Sequence, residues 1–319
     1  MEFCWLDVAS EEAKLNKIKE SALRAEKNGF SPKYWQAEAI DERFYPEIRK
    51  KDRPLARPPA ELAFATGVTE SFVPGFELLL ASMLEFMPGL DNVVYAFHDG
   101  IGSFSMERIL AAYENVVFVE SDMAKMDPLP ASSTDQKRTG VFGYMSAEAL
   151  RMDHELMVIL DSDMILQGGV ADLWESCGSY RLAPYCDSRP YAPVSNYTKR
   201  PVLNSSLVVV PKKEMGEKKY QDFKNALKDN CIRDVCSHLD RFSSQKIWNV
   251  FLRDKEVEIL NMNMNSSPRY IAAFHGGETN DVSVLHFSGK KPWLGEVDVD
   301  EKVRWGASIW NAYRSSRIF

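Results

Sequence analysis

The chain has 319 residues, of which 45% are apolar and 11% aromatic, so it is long enough to bury a large hydrophobic core. Its formal net charge of -7 argues against a general nucleic-acid binder, because such proteins present clustered basic faces to the phosphate backbone. Any phosphate bound by this acidic protein is therefore expected to be held by a local group of cations.

Cysteine usage and the N-terminal residues bear on the compartment. The five cysteines include no C-x-x-C pair, which predicts neither a zinc ribbon nor a disulfide framework and favours a reducing environment. The opening "MEFCWLDVAS" lacks a signal-peptide pattern, and no apolar run approaches the roughly 18 residues of a membrane span. We expect a cytoplasmic protein without a transmembrane segment.

The first 60 residues predict a helical extension followed by a linker. Residues 10–29 carry apolar side chains at helical spacing and end at a glycine. The prolines of "RPLARPPAE" prevent the helix from continuing. We expect a main domain over residues 61–295 and a C-terminal tail over residues 296–319.

From Glu61 onward, apolar strand-like runs alternate with helical patterns. In chain order they are "LAFATGV", "GFELLLASMLEFM", "NVVYAFHDG", "SMERILAAYE", "NVVFVESD", "YMSAEALRM" and "LMVILDSDMIL". Strands without polar alternation, separated by helices, are typical of a mostly parallel sheet covered on both faces. Beyond Leu166 the runs are shorter, which predicts a mixed sheet with longer connections.

Two aspartates interrupt the fourth strand-like run, "VILDSDMIL". The carboxylates of Asp161 and Asp163 lie on the same side of an extended chain and repel each other, so a cation is expected between them. Both are hard oxygen ligands for Mg²⁺ or Mn²⁺, and such cations often complete their coordination with substrate phosphates. The other interpretation is a surface turn with two solvated aspartates.

Four stretches together resemble a known enzyme family. The run "VILDSDMIL" resembles the metal-binding motif of GT-A glycosyltransferases. The stretches "LAFATGVTESFVPGFELLLASML", "VLNSSLVVVP" and "VLHFSGKKPW" resemble, in order, motifs of the family 8 group that includes glycogenin and lipopolysaccharide galactosyltransferases. The likeness covers Glu61 to Trp293. It implies a Rossmann-like α/β GT-A fold and a retaining transfer of sugar from a UDP-sugar to a saccharide, lipid-linked or protein acceptor.

The resemblance also implies a metal and diphosphate site. Asp161, Asp163 and His286 would bind Mn²⁺ or Mg²⁺, and imidazole is a reasonable third ligand for Mn²⁺. One of Lys290 and Lys291 would neutralise the diphosphate as a point charge, while Gly289 would allow close backbone approach. A structural histidine is the alternative for His286. Together with the turn residue Ser162, these residues are expected to contact the nucleotide sugar.

For the rest of the nucleotide, the resemblance assigns Phe72 to uracil stacking and Thr66 and Gly67 to the loop that leaves the first strand. The alternative for Phe72 is ordinary core packing.

For the sugar, the resemblance assigns Asn204 to a hydrogen bond near the diphosphate and Gln245 to the anomeric carbon. Ser244 stands where the family usually has Asp, and Asp240 is the candidate replacement. Tyr144 and Met145 stand where the family carries a basic residue. Arg138 or Arg151 could supply that charge, and the sequence does not choose between them.

Two other functions fit parts of the same pattern. In a haloacid-dehalogenase-like phosphatase, Asp161 would be the nucleophile and Asp163 the acid/base, but that fold usually opens with its nucleophile strand. A GT-A-like protein that only binds nucleotide or glycan is favoured by Ser244 and by the missing basic residue.

The tail "VRWGASIWNAYRSSRIF" predicts a terminal helix with an aromatic face and three arginines. It would pack into the core, close the acceptor side, or make a peripheral contact with the surface that carries the acceptor.

Overall fold

The computed structural model describes residues 55, 57–122, 142–175, 178–184, 201–228, 243–268, 270–271, 282–289 and 291–294. The predicted N-terminal helix, the C-terminal helix, Asp240, Arg138 and Lys290 lie outside the described residues. The domain boundaries predicted from the sequence therefore stay predictions.

A seven-stranded sheet forms the centre of the described fold. Its strands are β1 (Leu62–Val68), β2 (Val94–His98), β3 (Val116–Glu120), β4 (Leu156–Leu160), β6 (Tyr180–Pro184), β7 (Leu203–Pro211) and β8 (Val257–Ile259). They are ordered β3-β2-β1-β4-β7-β6-β8, and β7 runs antiparallel to both of its neighbours while the other pairs are parallel. The predicted mostly parallel mixed sheet is confirmed.

Helices cover both faces of this sheet. They are α1 (Val73–Phe86), α2 (Ser103–Ala112), α3 (Glu217–Lys228), α4 (Ser243–Phe251) and a 3₁₀ helix at Phe142–Arg151. Successive β1 side chains point to opposite faces, so Leu62 and Phe64 pack in the core with α1 and α2, whereas Ala63 and Ala65 pack with the 3₁₀ helix, α3 and α4. This two-sided burial explains why the strands show no polar alternation.

The "VILDSDMIL" run is two strands rather than one. β4 ends at Leu160, and β5 (Met164–Leu166) belongs to a separate two-stranded sheet with β9 (Val284–His286). The aspartates therefore lie at the junction between the two sheets, which corrects the expectation that they lie within one strand. Two like charges are tolerated better at the end of a strand than in its interior, because backbone polar groups and solvent are closer there.

Candidate functional site

The turn that carries the two aspartates starts at the carboxyl end of β4. The Asp161 N–H donates to the Ser206 carbonyl oxygen at 2.8 Å, which extends the pairing of β4 with β7 by one residue. Ser162 and Asp163 then turn the chain into β5. The carboxyl end of β4 adjoins that of the parallel strand β1, the edge of an open α/β sheet at which ligands usually bind.

His286 reaches the same place from β9. It pairs with Met164, and the Phe287 N–H donates to the Asp163 carbonyl oxygen at 2.9 Å. This register places His286 Nε2 3.4 Å from Asp163 Oδ1 and 3.9 Å from Asp161 Oδ2. Three metal-ligand atoms thus lie within 4.8 Å of one another, although His286 is far from the two aspartates in sequence.

The chemistry of this group fits a divalent cation. Asp163 Oδ1 is buried and has no hydrogen-bond partner among the described residues, which is costly for a carboxylate oxygen unless a cation binds it. Asp163 and His286 are buried, whereas the Asp161 side chain keeps 44% of its surface exposed. Two hard oxygens and one imidazole are a donor set that suits Mn²⁺ or Mg²⁺.

The two carboxyls are electrostatically unequal. Partial burial and the neighbouring Asp163 carboxylate raise the pKa of Asp161 above its ordinary value of 3.8. Burial would also raise the pKa of Asp163, but the Lys291 ammonium, together with the His286 ring when that ring carries a positive charge, outweighs burial and holds the pKa below its ordinary value. Asp163 is therefore the carboxylate that stays charged, and Asp161 is the one destabilised by its neighbour.

Lys291 brings a positive charge to the site. Its Nζ donates to Asp163 Oδ2 and, at 2.8 Å, to the Phe287 carbonyl oxygen. It also lies 5.4 Å from the centre of the Phe72 ring. Gly289 has a φ of +92°, and a Cβ there would meet nothing within 4 Å. The structure thus favours glycine at position 289 for its backbone conformation, and the close backbone approach to a diphosphate stays a prediction.

The segment after β1 packs against the end of the "HFSGKKPW" motif. Phe72 lies in the 3₁₀ turn Glu70–Phe72, its ring meets the Trp293 ring edge-on at 5.6 Å, and Trp293 Nε1 donates to the Ser71 carbonyl oxygen at 2.8 Å. Phe72 also packs against the hydrophobic core. Its position therefore accommodates both interpretations made from the sequence.

Thr66 and Gly67 do not lie in a loop, contrary to expectation. β1 continues to Val68 because its pairing with β2 extends that far. Pairing with β4, in contrast, ends at Ala65 and Ile159. The last three residues of β1 therefore pair with β2 on one side but not with β4 on the other, where the aspartate turn begins.

Asn249 joins Gln245 on α4 to Leu203, the residue before Asn204 on β7. Asn249 Nδ2 donates to the carbonyl oxygens of Leu203 and Gln245, and the Leu203 N–H donates to Asn249 Oδ1. Asn249 is fully buried, so these bonds fix the first turns of α4 on the start of β7. Gln245 is buried, and its Oε1 has no partner among the described residues.

Three carboxylates surround the guanidinium of Arg151. Its guanidinium lies 2.8 Å from Asp122, 3.3 Å from Glu217 and 3.5 Å from Glu148, and it stacks over the Tyr220 ring. These contacts attach the 3₁₀ helix to α3. Its assignment as the missing basic residue stays a prediction without support from its neighbours.

No known family profile matches the chain, and the comparison with curated proteins gives no match. Solved structures do match. The galactosyltransferase LgtC, solved with donor and acceptor sugar analogues, superposes with a TM-score of 0.58 at 16% identity, over 81% of this chain and 96% of that one. The chain has a GT-A fold.

Two further structures share this GT-A fold. The bifunctional glycosyltransferase WbbM gives a TM-score of 0.53 at 12% identity, over 75% of this chain and 48% of that one. The glycosyltransferase GlyE of Streptococcus pneumoniae gives 0.52 at 18% identity, over 80% and 62%. The resemblance to family 8 glycosyltransferases is confirmed as a likeness of fold, and the GT-A fold argues against the phosphatase alternative.

Within the GT-A fold, the structure brings together Asp161, Asp163, His286 and Lys291, which the sequence had singled out. Sequence reasoning missed Asn249 and the partner of the His286 ring. Their signal is weak, because an asparagine in a helix or loop has no distinctive pattern. None of the helices in the described ranges combines the length and apolar composition that crossing a bilayer requires.

Proposed function

We propose that this chain is a glycosyltransferase that moves a sugar from a UDP-sugar to a hydroxyl group and depends on a divalent cation. The observation that carries the proposal is the convergence of Asp161, Asp163 and His286 at the carboxyl end of a GT-A sheet. The shared fold with LgtC supports it, since that protein was solved with donor and acceptor sugar analogues.

Asp161, Asp163 and His286 would hold Mn²⁺ or Mg²⁺. When bound, the cation would supply Lewis-acid stabilisation of charge on the leaving diphosphate. Asp163 is the anchoring ligand, because its carboxylate stays ionised in the electrostatic field of Lys291. Asp161 closes the site from the solvent side, where its side chain is partly exposed.

Lys291, rather than Lys290, would bind the diphosphate. Its ammonium already lies against Asp163 and is anchored by the Phe287 carbonyl, so it is placed beside the cation ligands. A lysine there adds positive charge where negative charge develops as the sugar leaves, and such preorganised charge is usually the largest catalytic contribution. The acidic chain thus provides the local cation group that phosphate binding needs.

The nucleoside would lie along the end of β1. Phe72 would contact uracil, and Thr66 and Gly67 would contact the nucleotide through the strand edge that extends beyond β4. The position of Phe72, between Trp293 and the Lys291 ammonium, supports this placement.

The sugar would lie between β7 and α4. Asn204 and Gln245 would contact it, with Asp240 as a further contact. The buried Gln245 Oε1, which has no hydrogen-bond partner within the described ranges, offers an acceptor for a sugar hydroxyl. We propose retention of anomeric configuration and a saccharide, lipid-linked or protein acceptor, with the acceptor hydroxyl arriving on the face that the diphosphate leaves. The cytoplasmic setting stays a prediction.

A protein that binds a sugar nucleotide without turnover is the second candidate. The observation that favours it is Ser244, whose hydroxyl accepts from the Ser205 hydroxyl at 3.4 Å and brings no charge to the sugar side. A screen of UDP-sugars with Mn²⁺, followed for UDP release, separates the two. Metal-dependent UDP release supports a transferase, and saturable binding without release supports the second candidate.

A further inference from the structure

The His286 ring is held from behind by a second buried side chain. Its Nδ1 lies 2.9 Å from Asn265 Oδ1, and both residues are buried. A side-chain amide oxygen can only accept a hydrogen bond, so the proton of this contact belongs to Nδ1. A neutral imidazole carries a single ring proton, and Nε2 is then left with a lone pair.

That lone pair faces the two aspartates. His286 Nε2 lies 3.4 Å from Asp163 Oδ1, an oxygen without a hydrogen-bond partner among the described residues, and 3.9 Å from Asp161 Oδ2. Three acceptor atoms thus point at one another, an arrangement that a cation relieves. The other tautomer would instead give Asp163 a proton donor and close the site.

We propose that Asn265 is a positioning residue that keeps neutral His286 protonated at Nδ1 and so presents the Nε2 lone pair to a divalent cation. This inference rests on the metal site of the proposed function and adds the residue that decides which ring nitrogen is the ligand. A hydrogen bond from the distal nitrogen commonly fixes the tautomer and orientation of a metal-ligating histidine.

The backbone around Asn265 holds its side-chain amide next to the His286 ring. The Ser266 N–H donates to the Val284 carbonyl oxygen at 3.0 Å, and the His286 N–H donates to the Ser266 carbonyl oxygen at 2.9 Å. The residue after Asn265 therefore pairs directly with β9. Ring and amide approach each other from two adjacent, hydrogen-bonded segments, which limits how far either can move.

The chain offers a matched control two residues earlier. Asn263 is the same residue type in the same segment and is equally buried, but its amide atoms have no hydrogen-bond partner among the described residues. Asn263→Ala removes a buried amide without removing a contact to His286. Asn265→Asp keeps an acceptor oxygen at the position that the Nδ1–H needs.

The test measures the proton position before it measures the metal. Long-range ¹H–¹⁵N NMR of the full-length, metal-free protein in alkaline buffer, where histidine side chains are neutral, reports the tautomer of each ring. His286→Gln identifies the His286 signal among the five histidines. We expect Nδ1–H in the wild type, in Asn263→Ala and in Asn265→Asp, and an Nε2–H or mixed ring in Asn265→Ala. A wild-type ring protonated at Nε2 overturns the proposal, even if Asn265→Ala fails to fold.

Mn²⁺ titration followed by EPR, with Mn²⁺ as the only ligand, supplies the second readout. We expect Asn265→Ala to bind Mn²⁺ about 10- to 100-fold more weakly than Asn263→Ala, with binding largely restored in Asn265→Asp. Equal Mn²⁺ affinity and an unchanged Nδ1–H ring in the two alanine variants would overturn the role of Asn265 alone. Failure of the wild type to bind Mn²⁺ would overturn the metal site itself.

Discussion

The Gly75 backbone lies so close to Ser162 that a Cβ added to Gly75 would come within 2.6 Å of the Ser162 carbonyl oxygen. The same Cβ would lie 3.0 Å from the Trp293 ring. The first turn of α1 therefore packs directly on the aspartate turn and on the end of the "HFSGKKPW" motif. Only glycine permits this distance, so α1 helps to fix where Asp161 and Asp163 lie.

Gly75→Ala should lower stability and weaken Mn²⁺ binding together. Alanine favours helix formation, but the clash with a backbone oxygen cannot be relieved by a rotamer change, so we expect a net loss of about 1–3 kcal/mol in the free energy of unfolding. Urea unfolding and Mn²⁺ titration measure the two effects. Gly168→Ala is the control, because a Cβ there meets nothing within 4 Å. Equal behaviour of the two variants would contradict this packing role.

Asp161→Asn and Asp163→Asn should change the stability of the metal-free protein in opposite directions. The pKa of Asp161 is raised in the folded state, so the contribution of this group to the free energy of unfolding is present at low pH and is lost as the pH rises through that pKa. The pKa of Asp163 is lowered, so its contribution is present above the ordinary value of 3.8 and is lost as the pH falls. At neutral pH in EDTA, we expect Asp161→Asn to raise the unfolding midpoint and Asp163→Asn to lower it.

Urea unfolding of both variants from about pH 3 to pH 7 in EDTA tests whether the two substitutions shift the unfolding midpoint in opposite directions. The difference between wild type and Asp163→Asn should shrink as the pH falls below the ordinary aspartate range. Shifts of the same sign in both variants at neutral pH would show that the two carboxyls are equivalent, against the assignment of Lys291 to Asp163.

Lys291→Met should weaken UDP binding much more than uridine binding, because uridine has no diphosphate for the ammonium to neutralise. Calorimetric titration of both ligands in the presence of Mn²⁺ measures the two affinities. Lys290→Met is the paired control and should change UDP affinity less. A similar loss for UDP and uridine in Lys291→Met would indicate a structural role beside Phe72 and Asp163.

Asn249→Ala should impair the sugar side of the site while sparing the metal side. The substitution leaves the buried backbone groups of Leu203 without their partners and detaches α4 from β7, at a cost of about 1–3 kcal/mol. We expect turnover of the donor to fall while the affinity for Mn²⁺ stays close to that of the wild type, since the metal ligands lie on other elements. Loss of both in parallel would mean that the fold is disrupted as a whole.

Much of the architecture could be predicted from the sequence, because strands buried on both faces, such as β4 and β7, consist of mostly apolar runs. The aspartate pair could be predicted because two carboxylates are rare inside an apolar run, and the histidine motif was recognised by its resemblance to the closing motif of family 8. The end of β1 was misplaced: Gly67 resembles a loop residue, but pairing with β2 outweighs its weak strand propensity.

The supporting residues could not be predicted for a different reason. Asn265 acts through its hydrogen bond to His286, Asn249 through its hydrogen bonds to Leu203 on another element, and Gly75 through the closeness of another backbone. None of these produces a local periodicity or a charge pattern. These three roles depend on distances between segments in the folded protein, which local sequence patterns do not reveal.

UDP release from a panel of UDP-sugars tests the central claim most directly, measured with Mn²⁺, with EDTA, and with Asp161→Ala and Asp163→Ala. We expect release from at least one UDP-sugar by the wild type with Mn²⁺, and none in EDTA or in either folded variant. Undiminished release in EDTA, or full activity in either variant, would contradict a metal-dependent glycosyltransferase built on Asp161, Asp163 and His286.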